Sequence, residues 1–237
     1  MATFVLIHGA WHGGWCWRRV APALRRAGHE VYAPSLTGLG ERRHLARADI
    51  DLDTHIQDVL GLLEMEDLDD VILLGHSYGG MVVTGVADRA AARIARLIYL
   101  DAFVPEDGKC LLDYAVPERT ARMRDEGEKT GFVSPPPMSL WGLTKPEDLA
   151  FVGPREVRHP FATMSQTLKL RSEKNTFSIP RSFIYCSSPA TGSFDQFAAR
   201  FRHDPAWRFY ELPTGHDAML LMPEAVTRIL LESTAAA

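Results

Sequence analysis

The stretch Val71-Ile72-Leu73-Leu74-Gly75-His76-Ser77-Tyr78-Gly79 contains a G-x-S-x-G pentapeptide between two different sequence patterns. A strand-forming apolar run precedes the pentapeptide, and a helical pattern over residues 79–89 follows it. A serine between two glycines can occupy a sharp, strained turn between strand and helix, because larger neighbours would clash with the backbone. Such a turn exposes the hydroxyl group, and the following helix directs its N-terminal amides toward the same point. The stretch therefore predicts a nucleophilic serine, Ser77, with an ordinary glycine-rich turn as the alternative.

The rest of the chain alternates short apolar runs with helical patterns. Residues 4–7 form a continuous apolar run, which is typical of a strand buried on both faces of a parallel sheet. This alternation predicts an α/β fold with a mostly parallel sheet of about six strands and helices on both faces. The other expected strands are 31–33, 70–74, 96–100, 181–186 and 207–212, and the expected helices are 15–27, a helix capped by Asp53 or Thr54 and ending at 65, 79–89, 195–202 and 223–232.

The segment from Pro105 to about Pro180 follows a different pattern. Prolines cluster in it, three of them at 135–137, and its hydrophobic periodicity is weak. The segment is too long for a simple connection between a strand and a helix. We therefore expect residues 105–180 to form a small cap, inserted into an α/β core made of residues 1–104 and 181–237.

Composition narrows the range of functions. The 237 residues are 46% hydrophobic, which suffices for a single large core. A net charge of −4 without a basic stripe argues against a nucleic-acid partner, and no apolar run approaches the roughly 18 residues of a membrane span. The first residues lack the basic region of a signal peptide, and three widely spaced cysteines suit a reducing compartment. We expect a cytoplasmic protein with a small-molecule substrate, no metal and no membrane partner, and we leave a homodimer open.

A serine nucleophile needs a base to take its proton. Of the nine histidines, His216 is the best placed, because it follows the last expected strand and precedes the last helix. Loops at the carboxyl ends of parallel strands share one crevice, so this loop can meet the serine turn. His216 is therefore the predicted general base. His76, beside the serine, is expected to point into the sheet and to be structural.

A developing oxyanion needs preorganised donors. One is expected to be the Tyr78 amide at the start of the helix after Ser77, and the other the Ala10 amide in the loop after the first strand. Candidate substrate contacts are Trp11, His12, Phe103 and Trp141, and a cap of the following helix is the alternative role for His12.

Two segments carry a family resemblance. Residues 6–15 read LIHGAWHGGW, and residues 75–81 read GHSYGGM. They resemble the α/β-hydrolase branch that contains plant methylesterases of the salicylate-binding esterase type, hydroxynitrile lyases and bacterial pyrethroid and aryl esterases. The likeness covers about residues 3–104 and 181–232, whereas the expected cap is similar only in length and position. The resemblance implies hydrolysis of carboxylic esters without a cofactor, through a catalytic triad and an oxyanion hole.

The chain departs from that family at the triad acid, which usually follows the next-to-last strand. Residues 185–193 contain no carboxylate, and the first acid downstream, Asp195, is expected on a helix. Asp101, at the end of the strand after the serine helix, is the better candidate because one helix and one strand return it to the same sheet edge. Some lipases and haloalkane dehalogenases of this fold keep their acid there. Asp217 is expected to be a loop hydrogen-bonder, and a triad without an acid stays open.

The preferred function is a serine hydrolase for a carboxylic ester, lactone or thioester of a small apolar or aromatic molecule. A hydroxynitrile lyase is one alternative, but the plant enzymes place a lysine after the catalytic histidine, where this chain has Asp217. A second alternative is a nearly inert ligand-binding protein of the same fold. A third is a non-standard epoxide-opening enzyme, although the usual epoxide hydrolases of this fold have a carboxylate nucleophile at the position of Ser77.

Overall fold

The structure, a computed structural model, describes residues 1–172, 176 and 178–234. The alanine-rich tail from Thr234, which the sequence predicts to be frayed, lies outside the described residues beyond Thr234 itself. The strands of this part of the chain are β1 (Thr3–Ile7), β2 (Glu30–Tyr32), β3 (Val71–His76), β4 (Ile94–Leu100), β5 (Phe132–Val133), β6 (His159–Pro160), β7 (Arg181–Cys186) and β8 (Trp207–Leu212).

Six of these strands form one parallel sheet in the order β2-β1-β3-β4-β7-β8. The central strand β3 is buried along its whole length, which explains its unbroken apolar sequence. All six strands run in the same direction, so the loops that follow them meet at one edge. The predicted α/β fold with about six parallel strands is confirmed.

Helices connect the strands. In the described residues the helices are α1 (Ala21–Arg26), α2 (Leu52–Met65), α3 (Gly79–Ala90), α4 (Pro117–Thr130), α5 (Pro146–Val152), α6 (Ala162–Ser165), α7 (Asp195–Phe201), α8 (Ala218–Leu221) and α9 (Pro223–Glu232).

Two helix predictions were wrong in detail. The single helix expected over residues 15–27 is a 3-10 helix, Gly14–Arg19, followed by α1. Pro22 lies in the first turn of α1, where its missing N–H costs nothing, but it could not continue a helix from the preceding turn. Helix α2 is capped by Asp51 rather than by Asp53 or Thr54, because the extended Asp51 accepts a hydrogen bond from the Thr54 amide at 2.8 Å.

The segment between β4 and β7 contains helices α4 to α6 and a separate antiparallel pair, β5 with β6. Helix α4 has no counterpart among the predicted elements, because only Met123 and Gly127 of its 14 residues are buried and it has no apolar stripe. The division of the chain into core and cap stays a prediction. We refer to residues 105–180 as the inserted segment.

Candidate active site

Ser77 lies on the sharp turn between β3 and α3. Its φ angle is +53°, in the left-handed region that a serine occupies only under strain. The turn is so tight that a Cβ atom on Gly75 would lie 2.5 Å from the Gly79 carbonyl oxygen, and one on Gly79 would lie 2.8 Å from the His8 carbonyl oxygen. Glycine at both positions is what allows this geometry, which presents the Ser77 hydroxyl at the edge of the sheet.

Asp101 occupies the equivalent position on the neighbouring strand. His76 and Leu100 are register partners in β3 and β4, so Ser77 and Asp101 each follow the last residue of adjacent parallel strands. Asp101 also has a positive φ angle, +42°. Its backbone amide donates to the Ile184 carbonyl at 2.7 Å, and its Oδ1 accepts from the Cys186 amide at 3.1 Å. The end of β7 thus holds the carboxylate in place.

His216 lies in the loop after β8, where it meets the carboxylate of Asp101. Its Nδ1 is 2.6 Å from Asp101 Oδ2, and both side chains are almost fully buried, at 2% and 1% exposure. The ring of Phe194 stacks on the imidazole with centroids 5.0 Å apart, and Trp141 contacts it at the same distance. The bond orients the ring, leaving Nε2 as the nitrogen that is not engaged by the carboxylate.

The other acid candidates have different partners. Asp195, at the first residue of α7, accepts a hydrogen bond from the Tyr185 hydroxyl at 2.8 Å. Asp217 is fully buried and lies 3.1 Å from His12 Nε2. Of the three acids weighed from the sequence, Asp101 is the one in hydrogen-bond contact with His216.

Electrostatics favour a neutral His216. Burial lowers the pKa of His216 to about 3, because the charged ring loses its hydration. A neutral imidazole with Nδ1 against a carboxylate can accept a proton at Nε2, as a general base must. The His76 ring lies 4.5 Å from the His216 ring between centroids, and its Nε2 is 3.1 Å from the His216 carbonyl oxygen. The structural role of His76 stays a prediction.

Ser77 and His216 open into the same cavity, which has an empty volume of about 410 Å³ including its mouth. The loops at the sheet edge form one wall, and the inserted segment forms the other. Most of the lining side chains are apolar. The lining residues are Ala10, Trp11, Ser77, Tyr78, Phe103, Leu111, Ala115, Arg119, Met123, Trp141, Met164, Ser193, Phe194 and His216.

Both predicted oxyanion donors are at this cavity. Ala10 and Tyr78 line it, and Tyr78 is the residue that precedes α3. Among the residues that the structure describes, neither backbone amide donates a hydrogen bond to another protein group. Unpaired backbone amides beside the nucleophile are suited to bind an oxyanion, and the Tyr78 amide also lies at the start of a helix.

Three of the four candidate substrate contacts, Trp11, Phe103 and Trp141, line the cavity. The fourth, His12, does not. Its Nδ1 is 2.8 Å from the Ala10 carbonyl oxygen, and its Nε2 faces Asp217, so the ring is held behind the cavity wall. The predicted contact between His12 and substrate is therefore corrected, as is the alternative of a helix cap, because Gly13 precedes the 3-10 helix with no side-chain cap.

Trp11 joins the core to the inserted segment. Its indole Nε1 donates to the Val133 carbonyl at 2.8 Å, and its backbone amide donates to His159 Nδ1 at 3.2 Å. The φ angle of Trp11 is +63°, so the loop after β1 is bent sharply at this residue. These bonds position one side of the cavity as well as the neighbouring Ala10 amide.

The sequence did not single out Phe194, Arg119 or Met123 as site residues. Phe194 precedes α7 and stacks on His216, whereas Arg119 and Met123 lie on α4. Helix α4 was not predicted, so Arg119 and Met123 could not be placed at the cavity from the sequence. Phe194 lies in an irregular loop, and no pattern marks it.

In residues 1–172, 176 and 178–234, no group of three or more His, Cys, Asp or Glu side chains is arranged to hold a metal ion. The helices in the same residues are all too short or too polar to cross a bilayer.

Comparison with known proteins identifies the family. The model of the alpha/beta hydrolase family matches residues 4–229. The chain belongs to the alpha/beta hydrolase family. A carbendazim hydrolyzing esterase from Nocardioides sp. (strain SG-4G) is 43% identical over 240 residues, covering 97% of this chain and 98% of that protein. Methylesterase 2 of Arabidopsis thaliana is 29% identical over 249 residues, covering 96% of this chain and 94% of that protein.

A solved structure supports the same assignment. An extracellular alpha/beta-hydrolase from a Paenibacillus species, described as sharing structural and functional homology with tobacco salicylic acid binding protein 2, matches with a TM-score of 0.84 and 26% identity over 98% of both chains. The predicted resemblance is confirmed. Because the relatives are named esterases and methylesterases, the predicted class of carboxylic ester hydrolase is confirmed as well.

Proposed function

We propose that the protein cleaves a carboxylic ester through an acyl-enzyme on Ser77. The single observation that carries the proposal is the 2.6 Å bond from His216 Nδ1 to Asp101, in a cavity that Ser77 also lines. Asp101 holds the ring so that Nε2 takes the Ser77 proton as the serine oxygen attacks the carbonyl carbon. The amides of Ala10 and Tyr78 stabilise the oxyanion that forms.

The remaining steps use the same groups. His216 returns its proton to the departing alcohol as the bond from carbon to alcohol oxygen breaks. A water molecule then gives a proton to His216 and attacks the acyl carbon. As the bond from the acyl carbon to the Ser77 oxygen breaks, His216 passes that proton to the oxygen, which releases the acid and restores the Ser77 hydroxyl. Asp101 stabilises the transient imidazolium in both halves. None of these steps requires a group other than the protein's own residues and water.

The cavity favours a small apolar or aromatic ester. Phe103, Met123, Trp141 and Phe194 supply apolar surface beside the proposed reaction centre. Carbendazim is a candidate substrate by similarity to the Nocardioides relative, and its loss on incubation with the protein can be followed by chromatography. A cytoplasmic location and a homodimer stay predictions.

The test is Ser77→Ala assayed with 4-nitrophenyl butyrate. We expect kcat to fall at least a thousandfold, because removal of a triad member leaves only binding and oxyanion stabilisation. A fluorophosphonate should add one adduct to the wild type, located on Ser77 by mass spectrometry, and none to the variant. Ser193 also lines the cavity, so Ser193→Ala is the matched control. This variant should still form the adduct on Ser77. Wild-type turnover by Ser77→Ala would refute the mechanism.

The hydroxynitrile lyase alternative is not favoured. The residue after His216 is Asp217, which is fully buried against His12 and brings a negative charge to the place where the plant lyases have a lysine. Release of cyanide from mandelonitrile above the uncatalysed rate would support a lyase. Stoichiometric rather than repeated ester cleavage would support an inert binder.

A further inference from the structure

Arg119 is exceptional among the residues that line the cavity. Within the described part of the chain it is the one lining residue with a permanent positive charge, because the guanidinium stays protonated and burial keeps His216 neutral. Arg119 lies near the start of α4 and is half-buried. The side chains around it on the same wall, Leu111, Ala115 and Met123, are small or apolar.

In the part of the chain that the structure describes, the guanidinium of Arg119 has no acidic partner. In the residues that the structure describes, no Asp or Glu oxygen lies within ion-pair distance of it, whereas Arg19 pairs with Asp148 at 2.8 Å and Arg200 with Glu106 at 2.9 Å. Burial lowers the pKa of Arg119, and the adjacent Glu118 only partly opposes this. A half-buried cation without a counter-ion is a cost to the folded protein, and an anionic ligand would offset it.

One polar contact of Arg119 is given by the structure. Its Nη2 donates to the carbonyl oxygen of Thr191, in the loop between β7 and α7. The same loop contributes Ser193 and Phe194 to the cavity. A guanidinium has five N–H donors in a planar fork, so this one contact leaves donors for a ligand.

We propose that Arg119 binds a carboxylate on the substrate, remote from the scissile ester bond, so that among small apolar or aromatic esters those that also carry a free acid group are preferred. The proposal rests on the proposed function, because the ester must be cleaved at Ser77. A carboxylate matches the guanidinium fork with two parallel hydrogen bonds. The apolar walls between the two ends would accommodate an aliphatic or aromatic spacer. The competing role for Arg119 is a purely structural strap between α4 and the loop after β7.

The experiment compares pairs of esters that differ in one carboxylate. On the acyl side the pair is 4-nitrophenyl pentanoate and mono-4-nitrophenyl glutarate, in which a terminal carboxylate replaces the methyl group. On the alcohol side the pair is 4-methylphenyl acetate and 4-acetoxybenzoate. Arg119→Gln is the main variant, since its amide can still donate to the Thr191 carbonyl while the charge is lost. If Arg119→Gln does not fold, Arg119→Met takes its place in the same assays.

The expected result is a selective loss. In Arg119→Gln, kcat/KM for the acid-bearing ester of at least one pair should fall ten- to a hundredfold, mainly because KM rises. A loss of this size corresponds to one charge-assisted hydrogen bond. The neutral partner should change less than threefold, and Arg119→Lys should recover part of the loss.

A matched control removes the same charge from the same helix. Arg122 lies three residues along α4, outside the cavity lining, and donates to the carbonyl oxygens of Ser134 and Pro135. Arg122→Gln should leave both pairs unchanged. Equal losses on neutral and acid-bearing esters in Arg119→Gln would assign the strap role, and no loss on either acid-bearing ester would also overturn the proposal. If the wild type cleaves none of the four esters, the proposed function fails instead.

Discussion

Two histidine–aspartate pairs meet at the loop after β8, and they differ in how many acceptors each ring faces. His216 lines the cavity and presents Nδ1 to Asp101, so its Nε2 is the nitrogen without an acidic partner. His12 has both nitrogens engaged, Nδ1 by the Ala10 carbonyl oxygen at 2.8 Å and Nε2 by Asp217 at 3.1 Å. A ring between two acceptors must carry two protons to satisfy both, whereas a ring with one acceptor needs only one.

The charges follow from that difference. Burial by itself lowers the pKa of both rings, but the charge and hydrogen bond of Asp217 outweigh it at His12 and raise the pKa there to about 9. At His216 burial prevails, and the pKa is lowered to about 3. Asp217 is buried too, which alone would raise its pKa, yet the charge of His12 lowers it. We infer a fixed ion pair of His12 with Asp217 and a neutral, proton-accepting ring at His216.

A buried histidine and aspartate in contact do not by themselves define a catalytic pair. His12 carries its charge next to the Ala10 peptide, whose amide is the proposed oxyanion donor, and the ring stacks on Trp15 with centroids 5.0 Å apart. Its contacts join the loop after β1 to the loop after β8. The first pair is therefore expected to affect rate, and the second to affect stability.

The largest effect is expected from Asp101→Asn. An asparagine amide would donate to Nδ1, so the ring would hold its proton on Nε2 and could not accept one from Ser77. We expect kcat to fall by about a thousand- to ten-thousandfold with little change in KM, measured with 4-nitrophenyl butyrate. Asp195→Asn, the other carboxylate considered for this role, should stay within twofold of wild type. More than a tenth of wild-type kcat in Asp101→Asn would contradict the assignment.

Asp217→Asn should break the second pair. The variant leaves a buried charged ring without its counter-ion, and removing one partner of a buried ion pair costs about 3–5 kcal/mol of unfolding free energy. Urea denaturation at pH 7 measures this loss. Asp49→Asn is the control, because the Asp49–Arg47 pair is exposed and its loss should leave the urea midpoint unchanged. A stable Asp217→Asn protein with severely reduced kcat would reverse the roles given to the two pairs.

The unfolding free energy should depend on pH through the charge on His12. Because the pKa of His12 rises from 6.5 in the unfolded chain to about 9 when folded, the folded state binds the extra proton between these values. The stabilisation is complete below pH 6.5 and is lost as the pH rises through 9, a change on the order of 3 kcal/mol.

Urea unfolding from pH 6 to pH 10 would measure that change in wild type and in His12→Gln. The unfolding free energy of the wild type should fall more steeply than that of His12→Gln across this interval. The exposed His203→Gln variant should follow the wild type. Parallel curves for the wild type and His12→Gln would show that His12 is not charged in the folded protein.

Predictability from the sequence differed between the sheet and the inserted segment. The strands of the sheet are continuous apolar runs because both faces are covered, and such runs are visible without coordinates. Helix α4 is polar almost throughout, and its signals were limited to Pro117 at its start and Gly131 in the left-handed conformation after its end. Arg119 was missed with it, because a residue can be placed at a cavity only once its helix has been recognised.

The α/β order, the serine turn at Ser77 and the loop that carries His216 could be inferred from residue patterns, because strand burial, glycine geometry and parallel connections act over short stretches of chain. The contact of Asp101 with His216 and that of Asp217 with His12 became clear from the three-dimensional fold alone. Those contacts join residues 115 and 205 positions apart. Which side of a loop a carboxylate faces depends on packing and burial at that point, which no local pattern of residues records.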